Sequence, residues 1–189
     1  MCLGNPTWLH LPLFLGWFLL YLATYPFLQS LKKRNEDRFY LLKWAVGYSL
    51  GAFVFITPLL FYFPELIWFG LIFTSLFSVN IWHVKQKKER AMLNDLSAIL
   101  SFSIGGAAAY FFGKSAWNEA LIFITLYNSL YFIASAFFVK TVFRERKNLR
   151  WLVTTKIAHG IIAAVPILFG HFAMVLPFIY AVVRTFVYG

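Results

Sequence analysis

The string Asn80-x-x-His83, followed by Glu89-Arg90-x-x-x-Asn94-Asp95, is the densest polar chemistry in this sequence of 189 residues. Asn80 and His83 stand three apart and so share one face of a helix. Asn94 and Asp95 open the next apolar stretch, where a short polar side chain can accept from the free amides of a first helical turn. Two readings fit. In one, Asn94 or Asp95 caps a helix, and Lys87, Lys88 and Arg90 mark membrane topology. In the other, Asn80, His83, Arg90, Asn94 and Asp95 form a binding site for a phosphate or another anionic head group. Lys140, Arg144, Arg146 and Arg150 form a second basic group. Lys140 and Arg144 lie four apart on one face, and cations in this arrangement suit a diphosphate. The expected substrate-binding set is therefore Asn80, His83, Arg90, Asn94, Asp95, Lys140 and Arg144.

Other chemistries lack their residues. His159 and His171 are far apart, and neither has a metal-ligand partner at the third or fourth position along. Cys2 is the single cysteine, so no intramolecular disulfide forms. The chain has no Ser/His/Asp elbow, phosphate-binding loop, zinc motif or haem motif. The sequence calls for no metal and no cofactor, and it names no catalytic residue.

The elements that must position these residues follow from composition. Hydrophobic residues make up 61% of the chain and charged residues 13%. Soluble domains carry about 45–50% apolar and about 25% charged residues. A core of this size cannot hide so much apolar surface from water, which excludes a soluble enzyme and a disordered chain. A spanning helix needs about 20 apolar residues. Such segments occur at Trp8–Leu28, Leu41–Phe63, Leu66–Trp82, Leu96–Phe112 and Ala120–Val142, with shorter ones at Ile157–Phe169 and Phe172–Val187. They are too long for barrel strands and do not alternate. The expected fold is all-α, a polytopic helical membrane bundle of about seven transmembrane helices, or six if the last two form a broken hairpin at Gly170-His171. Residues 1–189 read as a single multi-pass domain.

The formal net charge is +10. In a soluble protein that would suggest nucleic acid. Here the basic residues gather in every second loop, at 29–40, 83–95 and 143–156, while the intervening loops hold only Lys114. This is the positive-inside pattern, which places the three basic loops in the cytoplasm. Membrane lipid is then the expected partner, and nucleic acid is not.

Small residues suggest where helices touch: Gly47 with Gly51, Ser101 with Gly105 and Ala109, and Gly160 with Ala164. Pro58, Pro166 and Pro177 should bend their spans. Trp8, Trp44, Trp82, Trp117 and Trp151 fall at span ends, as an aromatic belt requires. Asn128 should bond a neighbouring helix, and Arg184 should snorkel to the interface.

The strings PTWLHLPLFLGWFLLYLATYPFL (residues 6–28), KKERAMLNDLSAILSFSIGGAAAYFFG (87–113) and FVKTVFRERKN (138–148) resemble the YwiC-like family of bacterial integral membrane proteins. The resemblance implies a bacterial cell-membrane location. It also implies one further N-terminal segment with a basic-His-Gly-Ala-Trp string, which this chain does not show. The family brings no established activity. Two functions stay open. One is a transporter or permease of a small or lipidic solute, which broken spans and midspan prolines suit. The alternative is an enzyme similar to the UbiA-type intramembrane prenyltransferases, handling a prenyl diphosphate or related lipid. Against the enzyme, no two Asp residues stand at four-residue spacing.

Overall fold

In the computed structural model, which describes residues 5–188, the chain folds into seven α-helices and one 3-10 turn. Cys2 lies outside the described residues. Six helices are long and apolar enough to cross a membrane: α1 (His10–Ser30), α2 (Asn35–Tyr62), α3 (Leu66–Lys85), α4 (Met92–Lys114), α5 (Glu119–Phe143) and α6 (Leu149–Leu168). At about 1.5 Å per residue, the shortest of them is about 30 Å long, a full hydrocarbon core. The seventh, α7 (Val175–Tyr188), has 14 residues and follows the 3-10 turn Phe172–Met174. It is shorter than the other six because the 3-10 turn takes the first three residues of the last apolar segment; Pro177 falls in the first turn of α7, where a proline is tolerated.

Two helices start well before their apolar runs. α2 begins at Asn35, with Glu36 and Asp37 in its first turn. Acidic side chains there meet the positive end of the helix dipole. α6 begins at Leu149, capped by Asn148, whose side-chain oxygen accepts from Trp151 N at 3.2 Å. The basic connections are therefore short, at residues 31–34, 86–91 and 144–148. Much of their charge sits on helical turns.

The chain contacts divide into two compact units, Met1–Leu121 and Ile122–Gly189. In the first, α1 packs along α2, α3 along α4, and α1 against α4. α1 and α2 approach closely at Gly16, where an added Cβ would strike Ile56. Gly47 meets nothing within 4 Å, and the same is true of Gly160. These two glycines are thus not the contact points that their spacing suggested. Gly105 is one: a Cβ there would collide with the Trp17 indole. His10 fixes the other end of the α1–α4 contact. Its Nδ1 accepts from Thr7 N, and its Nε2–H donates to the Ala109 carbonyl, both at 3.1 Å.

In the second unit, Ala134, Ile162 and Phe178 form the buried centre of α5, α6 and α7. Tyr127 and Phe123 close on His171, with a 2.7 Å hydrogen bond between the Tyr127 hydroxyl and Nδ1. Gly170 turns the chain there at φ +72°, a conformation that suits a residue without Cβ. Outside both centres, large apolar side chains face outward; Phe53, for example, is 67% exposed. Such a surface is stable only in an apolar solvent.

Candidate functional site

The two asparagines meet across helices. Asn80, 6% exposed on α3, donates from Nδ2 to Asn94 Oδ1 at 2.9 Å and to the Asn94 carbonyl at 3.0 Å. Asn94 in turn donates from its own Nδ2 to the Glu89 carbonyl at 2.9 Å. Ser97 continues the chain, donating to the Asn94 carbonyl at 3.0 Å. Neither Asn94 nor Asp95 caps α4. The N-cap position is Ala91, which has no side-chain acceptor, and Asn94 lies inside the first turn. Its amide instead fastens the turn before the helix, because the neighbouring Asn80 holds its oxygen.

The turn 86–91 is tightly wound. Lys87 adopts φ +56°, and Lys88 N bonds the His83 carbonyl at 2.9 Å. Lys32 and Glu89 form an ion pair that ties the α1–α2 connection to the α3–α4 connection. Two of the basic connections therefore lie at one end of the first unit.

Asn80, Asn94 and Ser101 form the polar side of a cavity of about 220 Å³ between α1, α3 and α4. Its remaining wall is mainly aromatic: Trp17, Tyr21, Phe73, Phe77 and Phe102. A second cavity, also about 220 Å³, continues along the same helices away from the asparagines. It is lined by Leu13, Leu20, Ile56, Leu66, Phe69 and Ala108, and has almost no polar wall. Trp17 and Phe73 border both cavities and meet edge to face at 5.3 Å. They form the partition between two open-sided chambers, one with a polar corner and one apolar, whose walls include the exposed Tyr21, Phe102, Ile67 and Leu71.

The other expected site residues fall as follows. His83 is buried beside the cluster, but its Nδ1–H donates to the Val79 carbonyl of its own helix at 2.9 Å. Arg90 lies in the turn and Asp95 in the first turn of α4. Lys140 and Arg144 belong to the second unit, at the end of α5, with Lys140 7% exposed. Among the described residues, no group of three or more His, Cys, Asp or Glu could hold a metal ion. The partition and the Lys32–Glu89 tie were not foreseen. Trp17 left one trace in the sequence, the small stripe through Gly105 that makes room for it. Lys32 and Glu89 are 57 residues apart and left none.

The fold and the cluster now have a family context. Residues 1–110 match the family described as YwiC-like protein, a stretch that contains the whole Asn80–Asp95 cluster. An "Uncharacterized protein" of Haemophilus influenzae is 37% identical over 185 residues, covering 98% of this chain and 77% of that protein. "Uncharacterized protein YwiC" of Bacillus subtilis is 40% identical over 148 residues, covering 78% of this chain and 61% of that protein. No solved structure matches. By its family match and by the extent of its identity to these relatives, the chain belongs to the YwiC-like family.

Proposed function

We propose that this protein is a transporter or permease for a lipidic solute with a polar or anionic head, working through the first unit. The carrying observation is the pair of chambers that share Trp17 and Phe73. An aromatic wall suits an acyl or isoprenoid tail. Asn80 and Asn94 supply hydrogen bonds for a head group, and the basic turn with Arg90 supplies charge. His83 and Asp95 are further candidates for binding the head group. Lys140 and Arg144 add cations for head groups in the second unit.

The setting is a bacterial cell membrane, with the basic connections in the cytoplasm and residues 1–189 acting as one multi-pass domain. Membrane lipid is the partner, and the basic charge serves topology rather than nucleic acid. The alternative, an enzyme acting on a prenyl diphosphate, draws less support. Magnesium bridging a diphosphate uses several carboxylates. Glu89 is paired with Lys32, and Asp95 is the only acidic residue in the first turn of α4.

The test uses liposomes containing a fluorescent phosphatidic acid as probe, with its accessibility to an external quencher followed over time. Transfer above that of protein-free vesicles is expected, slowed in Asn80→Ala and accelerated in Trp17→Ala. Transfer equal to that of empty vesicles, or indifferent to both substitutions, would overturn the proposal.

A further inference from the structure

The chamber that holds Asn80 and Asn94 has an ionic end. On α1 its wall is the stripe Trp17, Tyr21, Thr24 and Leu28. These residues recur at helical spacing, and the next position on the stripe is Lys32, in the turn just past the helix. Lys32 N bonds the Gln29 carbonyl at 3.0 Å, so the backbone keeps turning there. On α4 the wall is Asn94, Ala98 and Ser101. The turn before α4 carries Glu89, whose carbonyl accepts from Asn94 Nδ2 at 2.9 Å. The Glu89 carboxylate then pairs with Lys32 Nζ. Contacts therefore run outward without a break, from Asn80 to Asn94, from Asn94 to the Glu89 backbone, and from the Glu89 side chain to Lys32. The ion pair stands just beyond the polar corner, at the end where a head group would lie.

Glu89 shares its turn with Lys87, Lys88 and Arg90. A carboxylate placed there, and paired with the lysine at the end of the chamber, holds the position that an anionic head group would take. The side chains of Lys32 and Glu89 are 30% and 39% exposed, and ion pairs this wet are weak and exchange partners readily. A phosphomonoester carries more negative charge than one carboxylate and offers more acceptor oxygens, so it competes well for a lysine. Lys32 can follow it on a flexible stem. A tail entering from the bilayer past the exposed Tyr21 and Phe102 leaves its head at this end.

We propose that Lys32 is the head-group lysine of this chamber and that Glu89 is its internal competitor. An anionic lipid head displaces the Glu89 carboxylate and takes its place on Lys32, beside Asn80 and Asn94. The proposal rests on the lipidic reading of the first unit, but it requires binding alone and not transfer.

The test counts lipid bound to the full chain by native mass spectrometry in detergent. Phosphatidic acid is the probe, and a diacylglycerol with the same tails is the uncharged control. The native chain should favour phosphatidic acid. Lys32→Gln should lower that preference by about three- to tenfold. Glu89→Gln frees Lys32 and spares the bond to Asn94, which uses the backbone, so it should raise the preference by about threefold. Lys33 and Asp37 form a neighbouring pair at 3.7 Å. Lys33→Gln and Asp37→Asn make the same charge changes there and should leave the preference close to that of the native chain. Losses in both Lys32→Gln and Glu89→Gln would reveal a structural tie and overturn the proposal. Equal changes in the two pairs would reveal a general attraction to surface charge and overturn it too. So would a native chain that binds the two lipids alike. Opposite shifts in Lys32→Gln and Glu89→Gln without any transfer in liposomes would refute the transport reading and leave this proposal standing.

Discussion

Replacing Gly105 by alanine puts one methyl group where the Trp17 indole now lies. The added Cβ would collide with Nε1, and it would stand 2.5 Å from Cε2 and 2.9 Å from Cζ2 of that ring. The indole is rigid and packs edge to face against Phe73 at 5.3 Å, so moving it disturbs that contact. Overpacking of this kind costs about 1–3 kcal/mol. Removing the ring instead, by Trp17→Ala, deletes a large packed side chain and joins the two chambers, at about 3–5 kcal/mol. The two costs should not add. Once Trp17 is alanine, the methyl at residue 105 meets open space, and the helix gains up to about 1 kcal/mol from losing a glycine. The double variant should therefore be no less stable than Trp17→Ala alone. That gives a coupling energy of about 1–3 kcal/mol, well above the scatter of independent sites. Thermal unfolding of all four proteins in one detergent measures it. Additive costs within about 0.5 kcal/mol would refute the Trp17–Gly105 contact, and the partition with it.

Four further perturbations have expected outcomes. Asn80→Ala leaves Asn94 Oδ1 without its Asn80 donor, while the Asn94 carbonyl keeps Ser97, and should cost about 1–2 kcal/mol in the same unfolding assay. Asn148→Ala removes the α6 cap and should cost about 1 kcal/mol, with amide exchange rising first at Leu149–Leu152. Gly170→Ala meets no atom within 4 Å, so its cost of about 1–2 kcal/mol is the left-handed backbone alone, and Gly170→Asn should cost less. The Lys32–Glu89 pair is partly exposed, so a Lys32→Gln/Glu89→Gln cycle should give a coupling below about 1 kcal/mol that shrinks in high salt.

The sequence held most of the fold because lipid imposes one dominant demand, a run of apolar residues long enough to span. α1, α3 and α5 begin and end close to where their apolar runs do. α2 and α6 escaped that criterion at their starts. Asn35–Tyr40 and Leu149–Lys156 are polar enough to lie outside the hydrocarbon, yet acidic first-turn residues and the Asn148 cap keep them helical. Asn80 and Asn94 were legible as members of one polar cluster on either side of a basic turn. The role of Asn94 was not, because its partners are the Glu89 carbonyl and a side chain on another helix. Trp17 was hidden for a related reason. Its meaning lies in what α1 turns toward α3 and α4, and the chain carries no periodic signal for that.

If a lipidic molecule occupies both chambers of the first unit, it can be captured there. Photo-crosslinking tests that occupancy most directly, with a phosphatidic acid carrying a photoreactive acyl chain in native-like vesicles and labelled residues located by mass spectrometry. Labels are expected on residues of both chambers, including Trp17, Phe73, Phe102 and Phe69, with labelling of Phe69 increased in Trp17→Ala, which joins the chambers. Labels confined to outward-facing residues such as Phe53 and Val54 would contradict it.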